Sequence, residues 1–240
     1  MLPVIDLSEV SLAPGSVQCL VVNVAALSRS DVQRLQGLLS ASEQARYARI
    51  VLEGERQSQS MTRAALRLVL GGLLGLAPDR LGVAVGVHGK PFCSDAPDLR
   101  FSMSHSGSFG LLALCQGAEV GCDIEVKRRV DDFEAMGALV LHPAEQQALA
   151  LLPDHARQDA FLRYWVRKEA VLKASGFGFK ADPMGIQVTQ HACTVSLKAP
   201  DGQPIDQAFT LHDSPAAVQY QAAVASPYSD CCWARLQLGP

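Results

Sequence analysis

The segment Asp79-Arg-Leu-Gly-Val-Ala-Val85 returns 103 residues later as Asp182-Pro-Met-Gly-Ile-Gln-Val188. Each copy follows a helix-like stretch that ends in glycine. Phe109-Gly-Leu-Leu-Ala-Leu-Cys115 has a looser echo in Tyr220-Gln-Ala-Ala-Val-Ala-Ser226, and each is followed by a short polar turn and another strand-like run. Repeats constrain a fold more than local propensity does, because they multiply one supersecondary unit. Two readings stand: strands of similar period that look alike by chance, or a duplicated α/β unit with an active site between its copies. The second copy of the hairpin lacks the acidic residues of the first, so a metal site would occur once.

The order along the chain reads as strand, helices, strand and hairpin, and then much the same again. Residues 17–25 are expected as a buried strand. Ser40-Ala-Ser-Glu43 has capping-box spacing and starts a helix. Residues 57–76 form a long helix ending in glycines. A further helix begins at about Pro143, and another runs from Asp159 to Ser175 and stops at Gly176.

Composition narrows the function classes. With 48% hydrophobic and 19% charged residues the chain is globular rather than disordered. A net charge of −3 over 240 residues supplies no basic field, which argues against nucleic acid as a partner. The longest apolar run, Leu68 to Ala77, is half of the roughly 20 residues that a membrane span needs. Met1-Leu-Pro-Val-Ile-Asp6 has no basic n-region and reads as a first strand rather than a signal peptide. The seven cysteines form no Cys-x-x-Cys and mostly sit in apolar runs, as small hydrophobes in a reducing, cytoplasmic setting do.

The strongest chemical feature is Val120-Gly-Cys-Asp-Ile-Glu-Val126. Read as a strand, it points Asp123 and Glu125 to one face and Cys122, Ile124 and Val126 to the other. Two carboxylates held a few ångströms apart repel unless a cation sits between them. Oxygen-only ligands suit Mg²⁺, which favours one or two carboxylates plus substrate phosphates. The plain alternative is an amphipathic edge strand with a solvated acidic face.

A second feature is the helix from Phe161 to Gly176, where Trp165, Glu169 and Lys173 recur every four residues along one face, with Lys168 beside them. A Glu four residues before a Lys is also an ordinary surface pair, but here Trp, Phe and Leu flank the charges. A carboxylate and an ammonium brought to a metal–phosphate site serve as ligand or base and as charge clamp. Phe101-Ser-Met-Ser-His-Ser106 alternates hydroxyls with Met103 and His105. Adjacent strand residues face opposite sides, so Ser104 is badly placed to bond His105, and no Gly-x-Ser-x-Gly elbow is present. Gly89-Lys90-Pro91 is a tight-turn signature and not a Walker loop. Residues 43–67 carry Arg46, Arg49, Arg56, Arg63 and Arg67 against Glu43, Glu53 and Glu55, either a phosphate-facing surface or a merely soluble one.

Taken in order, Gly89-Lys90-Pro91, Phe101-x-x-Ser-His-Ser106, Gly121-x-Asp-Ile-Glu125 and Trp165-x-x-Lys-Glu-Ala-x-x-Lys173 resemble the signature blocks of the 4′-phosphopantetheinyl transferases. The likeness is to the larger, pseudo-dimeric (Sfp-type) members and covers about residues 40–190. It implies an α+β fold, a pseudo-dimer of two similar α/β halves (residues 1–117 and 118–240). Each half would be a three-stranded antiparallel sheet packed with helices, with the active site between them.

The activity implied is of the holo-[acyl-carrier-protein] synthase type. The 4′-phosphopantetheine arm of coenzyme A passes to a serine of an apo acyl, peptidyl or aryl carrier protein, releasing adenosine 3′,5′-bisphosphate. By the same resemblance Asp123, Glu125 and Glu169 would bind Mg²⁺, Glu169 would also accept the serine proton, and Lys173 would neutralise or protonate the leaving phosphate. Ser104 and His105 would contact coenzyme A phosphates, Lys90 and Pro91 would border the adenine pocket, and Arg46 and Arg63 would face the 3′-phosphate. The protein would be a cytoplasmic monomer with no nucleic-acid or membrane partner. Two positions depart from the family pattern: Ser102 stands where Asn is usual, and Glu43 where a basic residue is common. Other classes remain open. A catalytically inactive coenzyme A- or carrier-binding module would not turn over, and a Mg²⁺-dependent pyrophosphate hydrolase would release product without a carrier. The loop Val126-Lys-Arg-Arg-Val130, three consecutive cations followed by Asp131 and Asp132, reads either as a steering surface for an acidic carrier or as a solvated surface run.

Overall fold

A computed structural model describes residues 2–86, 89–176, 182–189, 191–198, 204–215 and 218–238. After a two-residue strand β1 (Val4–Ile5), the first unit runs β2 (Ser16–Asn23), α1 (Arg29–Gln36), α2 (Ala41–Ala48) and α3 (Glu53–Leu74). A small hairpin of β3 (Val83–Val85) and β4 (Pro91–Cys93) then leads to β5 (Leu99–Ser106) and β6 (Phe109–Gln116). The second unit repeats the plan with β7 (Gly121–Val126), α4 (Phe133–Val140), α5 (Pro143–Ala150) and α6 (Asp154–Ser175). It closes with β8 (Ala192–Lys198), β9 (Pro204–Asp213), β10 (Tyr220–Ser226) and β11 (Asp230–Leu236). In both units the three main helices are 8, 8 and 22 residues long.

The sheets repeat as well. β2-β6-β5 and β7-β10-β9 share one antiparallel strand order, first, last, middle. Neither sheet stops at the three strands expected: β8 extends the second to four, and β11 and β1 extend the first to five. β11 comes from the far end of the chain and pairs parallel to β2, from Asp230 opposite Ser16 to Arg235 opposite Val21. The division at residue 117 therefore does not hold for the last strand. The helices also begin earlier than expected, at Glu53 rather than 57 and at Asp154 rather than 159. Neither start has a side-chain cap, so no capping residue marks it in the sequence.

Strand alternation divides the interior into three cores. Leu20, Val22, Leu112 and Leu114 face α3, and Ala223 and Ala225 face α6. The opposite faces of both sheets meet in a third core of Val17, Cys19, Val21, Leu111, Ala113, Cys122, Ile124, Ala222 and Val224. The layers are thus helix, sheet, sheet, helix. Asp123, out of phase with Cys122 and Ile124, is turned from the inter-sheet core toward α6. There the chain approaches itself closely: a Cβ at Gly121 would lie 2.0 Å from Ala170 O and 2.3 Å from Ala174 N of α6.

A buried ion pair marks the repeat more faithfully than the sequence echo does. Glu43 and Glu145 are each the third residue of an eight-residue helix and close a capping box, to Ser40 and His142. Each accepts a cation from the fifteenth residue of the long helix: Arg67 Nε at 2.7 Å in the first unit, Lys168 Nζ at 2.8 Å in the second. Arg67 also bonds Pro78 O and Leu81 O, and Lys168 bonds Pro183 O and Ile186 O. The 3₁₀ turns Pro78–Arg80 and Pro183–Gly185 are therefore the matching elements, two residues out of step with the echo of Asp79 and Asp182. Glu145 and Lys168 are 0% and 1% exposed, and burial lowers the lysine pKa against the pull of Glu145. Removing one partner strands a buried charge. Glu145→Ala should cost about 3–5 kcal/mol in urea unfolding, and the double change to Leu at 145 and Met at 168 should recover most of it.

Candidate active site

The edge strands of the two sheets, β5 and β7, lie side by side without a backbone ladder, and three serines of β5 take its place. Ser102 Oγ accepts the N–H of Cys122 at 3.1 Å. Ser104 Oγ donates to Asp123 Oδ1 at 2.7 Å, and Ser106 Oγ donates to Glu125 Oε2 at 2.7 Å while accepting the N–H of Val126. From α6, Lys173 Nζ donates to Asp123 Oδ1 at 2.7 Å and to Ser104 Oγ at 3.1 Å. Glu169 lies one helical turn before Lys173 on the same side, within electrostatic reach of Asp123 and Glu125. Asp123, Glu125, Glu169, Lys173 and Ser104 are thus brought together, from both units of one chain.

One ammonium serves three carboxylates in a poorly solvated place. Burial and the neighbouring Asp123 push the Glu169 carboxyl up to about 7. Burial also raises Glu125 above the usual carboxylate range, with the Ser106 hydroxyl pulling the other way and Asp123 adding to the rise. Burial disfavours charge on Lys173, but Asp123, Cys122 and Glu169 outweigh it and keep the group an ammonium. Among the described residues no cluster of three acidic, imidazole or thiol ligands is closed tightly enough to be a ready cage, since Lys173 holds one oxygen of Asp123. The donor set nevertheless fits a hard cation: Asp123 Oδ2 is buried without a hydrogen-bond partner, and burial together with the neighbouring Asp123 raises the Glu125 and Glu169 carboxyls.

The remaining sequence-predicted residues are placed unevenly. Lys90 and Pro91 line two adjoining cavities of about 210 and 230 Å³. One is bounded by Phe92, Arg100 and Glu119, and the other reaches Met103, Leu172 and Lys173. Gly89, at φ +86°, makes the turn that presents them. Lys90 itself is bound to Glu119 at 2.5 Å and to Ala174 O. His105 sits at the rim with Nδ1 3.5 Å from Glu55 of α3, too long for a hydrogen bond, and burial lowers its pKa. It bonds neither Ser104 nor Ser106.

Arg63 and Arg46 stand in different surroundings. Arg63 is buried, with Nε 2.5 Å from Glu43 Oε1, while Arg46 is exposed on α2 against the ring of Tyr47. Glu43 shares itself between Arg63 and Arg67, and its pKa is lowered because the two guanidiniums outweigh burial. A phosphate at Arg63 must therefore compete with Glu43. Sequence reasoning assigned no role to Ser106 or Glu119. The signal for Ser106 was present in the spacing of three serines at alternate positions, whereas Glu119 lies just before β7 with no pattern to mark it. The described residues include no helix long and apolar enough to cross a membrane.

Comparison with known proteins points one way. The family model described as the 4′-phosphopantetheinyl transferase superfamily matches residues 119–225, a span that holds β7 and α6 but stops short of β5. The 4′-phosphopantetheinyl transferase HetI of Nostoc sp. is 35% identical over 164 residues, covering 67% of this chain and 69% of that protein. The 4′-phosphopantetheinyl transferase of Bacillus subtilis is 24% identical over 208 residues, 86% and 90% of the two chains. AcpT of Salmonella typhi is 36% identical over 110 residues, 46% of this chain and 56% of its own length. The class these relatives share is a transferase. The chain belongs to the 4′-phosphopantetheinyl transferase superfamily.

The Glu169 carboxyl gives a sign-definite test. Because its folded pKa of about 7 lies above the ordinary 4.5, the folded protein holds more protons than the unfolded chain between those values. Its contribution to stability falls as pH rises through that window and is flat above it. In EDTA at pH 8, Glu169→Gln should be more stable than the unaltered protein by up to about 3 kcal/mol, and the gap should close toward pH 4.5. Chemical unfolding across pH 4.5–8 checks this.

Proposed function

We propose that the protein transfers the 4′-phosphopantetheine arm of coenzyme A to a serine of an apo carrier protein, in a Mg²⁺-dependent reaction that releases adenosine 3′,5′-bisphosphate. The observation that supports this most is that Lys173 both lines one of the Lys90–Pro91 cavities and donates to Asp123 of the carboxylate cluster.

Asp123, Glu125 and Glu169 would hold the magnesium ion. Its chemistry there would be to neutralise pyrophosphate oxygens. The carrier serine Oγ forms the new bond to phosphorus as the pyrophosphate P–O bond breaks. Glu169 would accept the serine proton, directly or through one water. The negative charge that grows on the departing phosphate meets the Lys173 ammonium, which Asp123 and Ser104 hold in place. His105, whose pKa burial lowers, would offer a ring N–H to coenzyme A phosphates. Both sides of the site come from one chain, so a monomer suffices. The cysteines, free and largely buried, suit a reducing cytoplasm.

Incubation with coenzyme A, Mg²⁺ and a panel of apo carriers, read by intact mass, tests the reaction. Mass gain on a carrier supports it, binding without mass gain points to an inactive module, and product release without a carrier points to a hydrolase. Asp123→Ala, if folded, should lose transfer, and normal turnover in that variant would remove the metal reading. Lys173→Ala should lower kcat with a smaller effect on KM for coenzyme A. A raised KM with kcat untouched would contradict the role of Lys173.

The carrier would dock beside Glu125 and the loop after it. Within that loop Lys127 is tied to Asp159 at 2.6 Å, and exposed Arg129 meets exposed Asp131, leaving Arg128 and Arg129 at the surface. Reversing Arg128 and Arg129 to Glu should raise KM for an acidic carrier, more at low salt than at high, with KM for coenzyme A unchanged. An unchanged carrier KM at low ionic strength would move the docking site elsewhere.

A further inference from the structure

The three seam serines look alike in sequence, but their bonds differ in kind. A hydroxyl has one proton to give and two lone pairs to receive. Ser102 receives the backbone N–H of Cys122, and its hydroxyl also bonds the Cys122 thiol, so both its partners lie on one residue and neither is a carboxylate. Ser104 gives its proton to Asp123 and receives from Lys173. Ser106 gives its proton to Glu125 Oε2 at 2.7 Å and receives the N–H of Val126 at 3.1 Å. Glu125 is therefore tied, through one oxygen atom of the other unit, to the amide that follows it on its own strand.

Among the described residues, that bridge is the only hydrogen bond on the Glu125 side chain, which has three torsions, and rotating the Ser106 hydroxyl would break it. The turn after Ser106 holds the bridge in register. Gly107 has φ +53°, and a Cβ there would lie 3.0 Å from Val126 Cγ2, so the β5–β6 turn is pressed against the end of β7. Ser104 cannot substitute, since its proton is already committed to Asp123.

We infer that Ser106 is a positioning residue for divalent-cation binding: it holds one oxygen of Glu125 so that the other is presented to the cation. Its role is distinct from the backbone stitching that Ser102 performs. The inference rests on the Mg²⁺ reading above. Groups that orient ligands in this way typically alter metal affinity by about 10–100-fold when removed.

The test is Mn²⁺ affinity measured by electron paramagnetic resonance with coenzyme A present and no carrier, so that nothing turns over. Ser106→Ala should weaken Mn²⁺ binding by about tenfold or more. Ser106→Thr, which keeps the hydroxyl on a strand that accepts β-branching, should restore most of it. Ser102→Ala, which removes a seam bond of the same backbone type, should lower the melting temperature while leaving Mn²⁺ affinity unchanged. If the alanine variant does not fold, Ser106→Cys, near in shape and a weak donor, takes its place. Unchanged affinity in a folded Ser106→Ala or Ser106→Cys variant overturns the inference, as does a threonine variant no better than either, or an equal loss in Ser102→Ala. No Mn²⁺ binding by the unaltered protein overturns this inference and the metal reading together, whereas Mn²⁺ binding that ignores Ser106 overturns this one alone.

Discussion

Helix α6 can lie against β7 as it does because position 121 carries no side chain; a Cβ there would collide with Ala170 O and the backbone of Ala174. From that contact follows the placing of every charged group at the seam. Glu169 and Lys173, one turn apart, are set down beside Asp123 and Glu125, and Lys173 reaches Ser104 on the other sheet. A side chain at 121 would lift the helix and separate groups whose distances are hydrogen-bond distances. The first unit has a comparable close approach, where a Cβ at Gly110 would meet Thr62 of α3 at 2.3 Å, but its helix carries Leu68 and Gly72 at the positions of Glu169 and Lys173. The scaffold is repeated and the chemistry is not.

The two units also show what buried charge does in each setting. Glu145 and Lys168 are enclosed and matched one to one, with their remaining hydrogen bonds spent on backbone groups. Such a pair stabilises little by itself yet is costly to break. At the seam the ratio is three acids to one base, and burial, reinforced by the neighbouring Asp123, raises the Glu125 and Glu169 carboxyls. Glu43 stands between these cases: paired twice, it keeps the first unit's helices together and at the same time occupies Arg63.

What could be read in the sequence was what short-range geometry controls. The Ser40–Glu43 capping box, the shared face of Asp123 and Glu125, and the four-residue rhythm of Glu169 and Lys173 are consequences of helix and strand periodicity, and the structure has all three. The starts of α3 and α6 were misjudged because Leu52 and Pro153 offer no side-chain cap. The sequence echo slipped by two residues because it followed similar residue types, whereas the structural repeat follows carbonyls that bind Arg67 and Lys168. The pairing of Arg63 with Glu43 had no local signal, because the two lie twenty residues apart on different helices. The return of β11 has no local signal at all: parallel pairing with β2 joins residues more than 200 positions apart.

That last strand has a kinetic consequence. During synthesis the first unit emerges with β2 as an open edge, and its parallel neighbour, β11, is made about 200 residues later. The sheet that supplies Ser104 and Ser106 therefore stays incomplete until the second unit has passed through the ribosome. The two units, though similar in plan, are not independent folding domains; a fragment ending near residue 117 would present the long apolar edge of Val17 to Val22 to any strand it met.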